Sequence, residues 1–122
     1  MIDHVGFEVA DLERTTAFYD RVFLALGGRR MVSSERAAAY GINAPIVWFT
    51  SRGRPPGPGY GHLALHASGK VAVDAAYAAG LRHGGAETDP PSAPGLRPRY
   101  GRHYYAAYLT DPDGLRVEFV AR

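Results

Sequence analysis

The chain has 122 residues, 46% of them apolar, enough for one domain with a core and too few for two independent ones. It has no cysteine, which excludes disulfides, thiolate metal sites and cysteine nucleophiles, so any metal must be held by nitrogen and oxygen. The formal net charge is only +2, with acidic residues interspersed, a weak basis for nucleic-acid binding.

The opening MIDHVGFEV has neither the positive charge nor the apolar run of a secretory signal, and no segment approaches membrane-spanning length. The expectation is a cytoplasmic protein with no membrane or nucleic-acid partner. Residues 2–9 alternate, placing Val5, Phe7 and Val9 on one face and His4, Gly6 and Glu8 on the other, as a strand with one polar face does. Asp11 can cap a helix running to about Leu26, with Phe18, Val22 and Ala25 at helical spacing and Gly27-Gly28 ending it. Short β-compatible segments follow at 29–34, 37–42 and 45–51, so the first half reads βαβββ. The proline- and glycine-rich stretch 52–59 reads as a linker.

From Tyr60 the pattern restarts. Leu63, Leu65 and Ala67 alternate with His62, Ala64 and His66. Ser68 is placed to cap a second helix, with Val71, Ala75, Ala78 and Leu81 at helical spacing, an interior glycine at Gly80 and a stop at Gly84-Gly85. Each histidine precedes its helix-ending glycine pair by nearly the same distance, which points to two copies of one unit. The second copy is longer because residues 89–102 insert a proline- and arginine-rich loop, a length that usually marks a functional or mobile segment. Two strands, 103–110 and 115–121, then form a hairpin about Asp111-Pro112-Asp113-Gly114. Of the basic residues only Lys70 is lysine. Arginine forks match carboxylates and phosphates, so Arg97, Arg99 and Arg102 in the inserted loop suit an anionic small molecule, or else simply solvate the loop.

The run from His4-Val5 through Asp11-Leu12, Ala17-Phe18-Tyr19 and Gly27 resembles the opening module of the vicinal-oxygen-chelate superfamily, the glyoxalase, bleomycin-resistance and extradiol-dioxygenase group. The ending, Asp111-Pro112-Asp113-Gly114 followed by Val117-Glu118-Phe119, resembles the closing strands of the same family. The resemblance implies an α+β fold in which two βαβββ modules (1–51 and 60–122, joined by 52–59 in one domain) curve mixed sheets around a metal and substrate cavity, with the helices outside. It implies His4, His62 and Glu118 as ligands of one divalent ion (Zn, Fe, Mn, Co or Ni). Strand parity agrees, since each histidine and the glutamate lie opposite the apolar stripe of their strands. Two imidazoles and a carboxylate leave positions open for substrate, as a catalytic site requires.

Tyr108 matches a tyrosine that touches bound ligand in related dioxygenases and fosfomycin-resistance proteins, and is expected to be catalytic. Trp48 stands where glyoxalase I proteins carry a further glutamate. Trp48, Tyr104, Arg97, Arg99 and His66 are expected on the substrate side, with Tyr60, Tyr100 and His103 as further proton-transfer candidates. Glu8 is too far along its strand from His4 to share an ion and is read as rim or structural. The resemblance implies a metal-dependent lyase, isomerase or dioxygenase acting on a small oxygenated metabolite in a homodimer, and the arginines of the inserted loop leave room for an anionic one. The alternative is a metal-independent binding protein of the bleomycin-resistance type.

Overall fold

Alternation at Val5, Phe7 and Val9 yields β1 (Val5–Val9), after which the Asp11 carboxylate accepts the Arg14 amide at 3.3 Å and starts α1 (Leu12–Ala25). Three strands complete the first unit: β2 (Arg29–Ser33), β3 (Ala37–Gly41) and β4 (Val47–Ser51). The computed structural model describes residues 1–57 and 61–122. The second unit repeats the order with β5 (His62–His66), α2 (Lys70–Arg82), β6 (Ala86–Glu87), the extra two-residue β7 (Gly95–Leu96), β8 (Tyr105–Thr110) and β9 (Arg116–Ala121).

The strands form one sheet in the order β1-β4-β3-β2 and another in the order β5-β9-β8-β6, with β7 also paired to β8. In each, the first and last strands of the unit are parallel neighbours. Gly6 lies opposite Trp48, and Ala64 lies opposite Glu118. Gly6 and Ala64 each follow their histidine by two, so Trp48 and Glu118 hold equivalent positions in the repeat.

Each helix covers one face of its own sheet, and the helices pack on one another, so the sheets meet through the helices rather than strand to strand. One core results, joining Phe18, Val22 and Phe49 of the first unit to Val73, Leu109 and Phe119 of the second. The opposite face of each sheet is left outside this core. On the second sheet it carries a small separate cluster of Ala106, Tyr108 and Val120, with Tyr104 against it.

Two expectations about α2 are corrected. Its inward residues are Val73, Ala76 and Gly80, while Val71, Ala75 and Leu81 are exposed. Both stripes have helical spacing, but only the smaller one lets the helices approach: a Cβ on Gly80 would sit 2.4 Å from Leu109 Cδ1 and 3.2 Å from Phe18 Cε2. Gly80 is therefore a crossing point rather than a tolerated interruption. The helix also lacks the Ser68 cap, since Gly69 holds the N-cap position and no side chain bonds there.

The turn at 111–114 does more than reverse the chain. Asp111 is 5% exposed and accepts the Tyr19 hydroxyl at 2.7 Å and the amides of Asp113 and Leu115 at 2.9 Å each. Asp113 accepts the Ala10 amide at 3.0 Å and a guanidinium N–H of Arg14 at 3.2 Å. Two carboxylates of the second unit thus fasten the first unit's helix, Asp111 through Tyr19 in its middle and Asp113 at its start, where negative charge is favoured. Burial pushes the Asp111 carboxyl above its ordinary range, against the pull of the Tyr19 and amide donors.

Candidate metal and substrate site

The outward face of the second sheet brings polar side chains together because β9 lies between β5 and β8. Glu118 has Ala64 on one side and Tyr108 on the other, and the small Ala64 leaves space in front of the carboxylate. Glu118 is only 3% exposed, and a buried carboxylate is costly unless every lone pair it turns inward is answered. Its Oε1 accepts the hydroxyls of Tyr104 at 2.6 Å and Tyr108 at 3.1 Å, and its Oε2 lies 3.2 Å from His62 Nε2. These groups, with Tyr100 and Arg116, line an open cavity of about 280 Å³.

The Tyr104 hydroxyl is pushed up to about 12, chiefly because it donates to Glu118 and secondarily by burial. Tyr108 is raised by burial first and by the Glu118 charge next. Both phenols therefore keep their protons near neutral pH and act as donors.

His4 is not part of this constellation. It is exposed just before β1, its Nδ1 is 2.7 Å from Asp3 Oδ1, and its ring lies 6.2 Å from that of Trp48. Among the described residues no three His, Cys, Asp or Glu side chains converge in a way that could hold a metal. One chain therefore brings His62 and Glu118 together and leaves His4 on the other sheet. Trp48 is half-buried there, its indole N–H donating to the Pro45 carbonyl at 3.0 Å.

The inserted loop does reach the cavity. Ser92 is buried and tied to Tyr108 in both directions, its hydroxyl donating to the Tyr108 carbonyl at 2.7 Å and its carbonyl accepting the Tyr108 amide at 2.9 Å. Further along, the loop contributes Tyr100 to the lining and sets Arg97 over the Tyr108 ring and Arg99 over the Tyr100 ring. Arg102 and His103 are exposed and outside the lining. His66 shares the outward face of β5 but lies opposite Val120, also outside the lining. Glu8 pairs with Arg52 and Arg54, each at 3.4 Å. Tyr60 lies outside the described residues.

Sequence reasoning passed over Arg116, which lines the cavity, and Arg122, which lies over the Tyr104 ring. The signal for Arg116 was available: two residues before Glu118 on one strand, it must share its face.

The sequence profile described as the glyoxalase/bleomycin resistance protein/dioxygenase superfamily matches residues 1–119. A glyoxalase/bleomycin resistance protein from Albidiferax ferrireducens T118 is 32% identical, with a TM-score of 0.77 over 98% of this chain and 96% of its own. Fosfomycin resistance protein FosX from Mesorhizobium loti is 23% identical, with a TM-score of 0.71 over 100% of this chain and 92% of its own. A glyoxalase I variant from Zea mays is 24% identical with a TM-score of 0.66, and there the match spans 96% of this chain but 45% of the maize protein. Comparison with curated proteins gave no match.

Proposed function

The chain belongs to the glyoxalase/bleomycin resistance protein/dioxygenase superfamily, and on that premise we propose that it is a metal-dependent enzyme acting on a small oxygenated metabolite. In this reading His62 and Glu118 of one chain and His4 of a second copy hold one divalent ion. Members of the superfamily typically use a divalent metal, bind small-molecule substrates and often form dimers. The observation that carries the reading is Glu118: a buried carboxylate with one oxygen fixed by two phenols and the other turned to His62 at the wall of a cavity.

The donors fit such an ion, since neutral imidazole and carboxylate suit the first-row divalent metals, and this chain offers nothing softer. A metal held there would supply Lewis acidity to two neighbouring substrate oxygens as negative charge develops on them. Tyr104 and Tyr108 orient the carboxylate through Oε1, which leaves Oε2 available on the His62 side. In this reading the Tyr108 hydroxyl, in the same cavity, also holds a proton against the substrate. Trp48, Tyr104, Arg97, Arg99 and His66 are the residues offered to substrate, Trp48 again from the second copy.

The sheet edges support a dimer. β1 and β5 each end a sheet, and an edge strand leaves backbone donors and acceptors unpaired. Bringing the β1 edge of one copy against the β5 edge of the other would place His4 beside His62 and Glu118, in two equivalent sites about a twofold axis. The alternative, a metal-independent binding protein, draws its support from the absence of three converging donors within one chain among the described residues.

The two readings part in a mixing experiment. His4→Ala and His62→Ala should each bind no metal alone, but dimers formed from one chain of each should recover one site of the two. Metal analysis that finds no divalent ion on wild type, offered Zn²⁺, Mn²⁺, Fe²⁺, Co²⁺ and Ni²⁺ in turn, would leave the binding-protein reading in its place.

A further inference from the structure

Each tyrosine ring of the cavity carries a guanidinium of the chain itself. Arg116 lies 4.5 Å and Arg97 5.9 Å from the centroid of the Tyr108 ring, Arg122 lies 5.7 Å from that of Tyr104, and Arg99 lies 5.6 Å from that of Tyr100. Among the described residues none of these four makes an ion pair, whereas Arg14, Arg30, Arg52 and Arg54 each face a carboxylate. Among the described residues the only carboxylate in the cavity lining is Glu118, and its close partners are His62 and the two phenols rather than any arginine.

This arrangement selects by charge. Aromatic faces beside a carboxylate would ordinarily suit a ligand cation, but here each ring already holds one and the surrounding field is positive. A guanidinium held over a ring without an ion pair or hydrogen bond, as Arg116 is among the described residues, keeps its N–H groups for a bidentate acceptor. Of the four, Arg116 is the best placed, since it lines the cavity, leaves β9 on the Glu118 face and sits opposite His62 in register. Arg97 is already engaged, donating to the Ala93 carbonyl at 2.7 Å and the Leu96 carbonyl at 3.4 Å.

We propose that the substrate carries an oxyanion, a carboxylate or a phosphonate, beside its chelating oxygens, and that Arg116 is the residue that binds it. The placement of the chelating oxygens rests on the metal-site reading above; the charge preference rests on the arginines alone. The test compares three probes that share two vicinal hydroxyls: catechol, 3,4-dihydroxybenzoate and 3,4-dihydroxyphenylphosphonate. Each is titrated calorimetrically into wild type, Arg116→Gln, Arg116→Lys and, as a control on the first sheet, Arg29→Gln, with and without Ni²⁺.

One charge-assisted bidentate contact corresponds to about a tenfold preference for an acidic probe over catechol. That preference should vanish in Arg116→Gln with catechol binding unchanged, persist in part in Arg116→Lys, and survive Arg29→Gln intact. Whichever acid binds more tightly identifies the oxyanion. If no acidic probe is preferred, or if the preference survives Arg116→Gln, the proposal is wrong; in either case catechol binding that requires Ni²⁺ leaves the metal reading standing. If the preference is present and depends on Arg116 while no probe binds more tightly with Ni²⁺ than without it, the oxyanion site stands and the metal reading falls. Failure of all three probes to bind, with or without Ni²⁺, overturns the proposal.

Discussion

The two halves of the molecule share a topology, a register and a helix that ends in glycine, yet their outward faces differ. The first sheet presents Gly6 and Trp48 beside His4; the second presents Glu118, Tyr104, Tyr108 and Arg116 around His62. The contrast is sharpest at one register position, where the first unit has an indole and the second a buried carboxylate with three polar partners. A repeated fold therefore fixes where side chains point without fixing what they do. The covering helices demand apolar residues inward from both sheets, while the outward residues are free to diverge.

The largest effect expected from breaking this asymmetry is on metal binding. Glu118→Gln keeps the shape and removes the charge, and should weaken divalent-ion affinity by about 100-fold or more, whereas Trp48→Phe at the equivalent position should change it little. Calorimetric titration of Ni²⁺ into both variants measures the difference, and equal losses would mean that the two positions act alike.

Next comes the turn that fastens one half to the other. Asp111→Ala removes the acceptor of three hydrogen bonds and strands the buried Tyr19 hydroxyl, a loss of about 3 kcal/mol by urea denaturation. If a loss under about 0.5 kcal/mol were found, the turn would be a hairpin and nothing more.

A smaller effect is expected at the helix crossing. Gly80→Ala gains about 1 kcal/mol of helix propensity but drives a Cβ into Leu109 and Phe18, so a net loss of about 1–2 kcal/mol is expected. Ala75→Gly on the exposed side of the same helix should cost only the propensity, about 1 kcal/mol.

The smallest signal is in the alkaline titration of the phenols. Tyr104 is held to about 12, above its ordinary 10.0. Its protonated form therefore contributes stability that is fully present below pH 10 and is lost as pH rises through about 12. Burial holds Tyr19, Tyr40 and Tyr108 late as well, so absorbance near 295 nm should show a group of late phenols in wild type, part of which titrates earlier in Glu118→Gln; no change between the two would remove the carboxylate as the cause.

Strand parity set His62 and Glu118 opposite the apolar stripes of their own strands, but bringing Tyr104 and Tyr108 to the same side rested on the family resemblance, because a period of two does not fix how one strand pairs with the next. Helix α2 was harder to read, since Val71 with Leu81 and Val73 with Gly80 both fit a helical period. The choice between them depends on how close α1 comes, which local sequence does not encode. The tie from Asp113 to Ala10 joins residues at opposite ends of the chain and left no local trace beyond a turn. Arg116 could have been found by parity, but its stacking on Tyr108 depends on side-chain placement that the strand pattern does not supply.

The carboxylate fastening at 111–114 bears on how the protein can be taken apart. Phe18 and Val22 of the first half and Val73 and Phe119 of the second belong to one core, so neither half can bury its apolar face alone. Cut between the exposed residues Gly53 and Arg54, the polypeptide should behave as complementary fragments: each poorly ordered by itself, the pair reassembling on mixing as the Asp111 and Asp113 carboxylates find Tyr19 and the start of α1. The covalent joint between the repeats would then be dispensable for architecture, serving mainly to hold the two pieces at a high effective concentration.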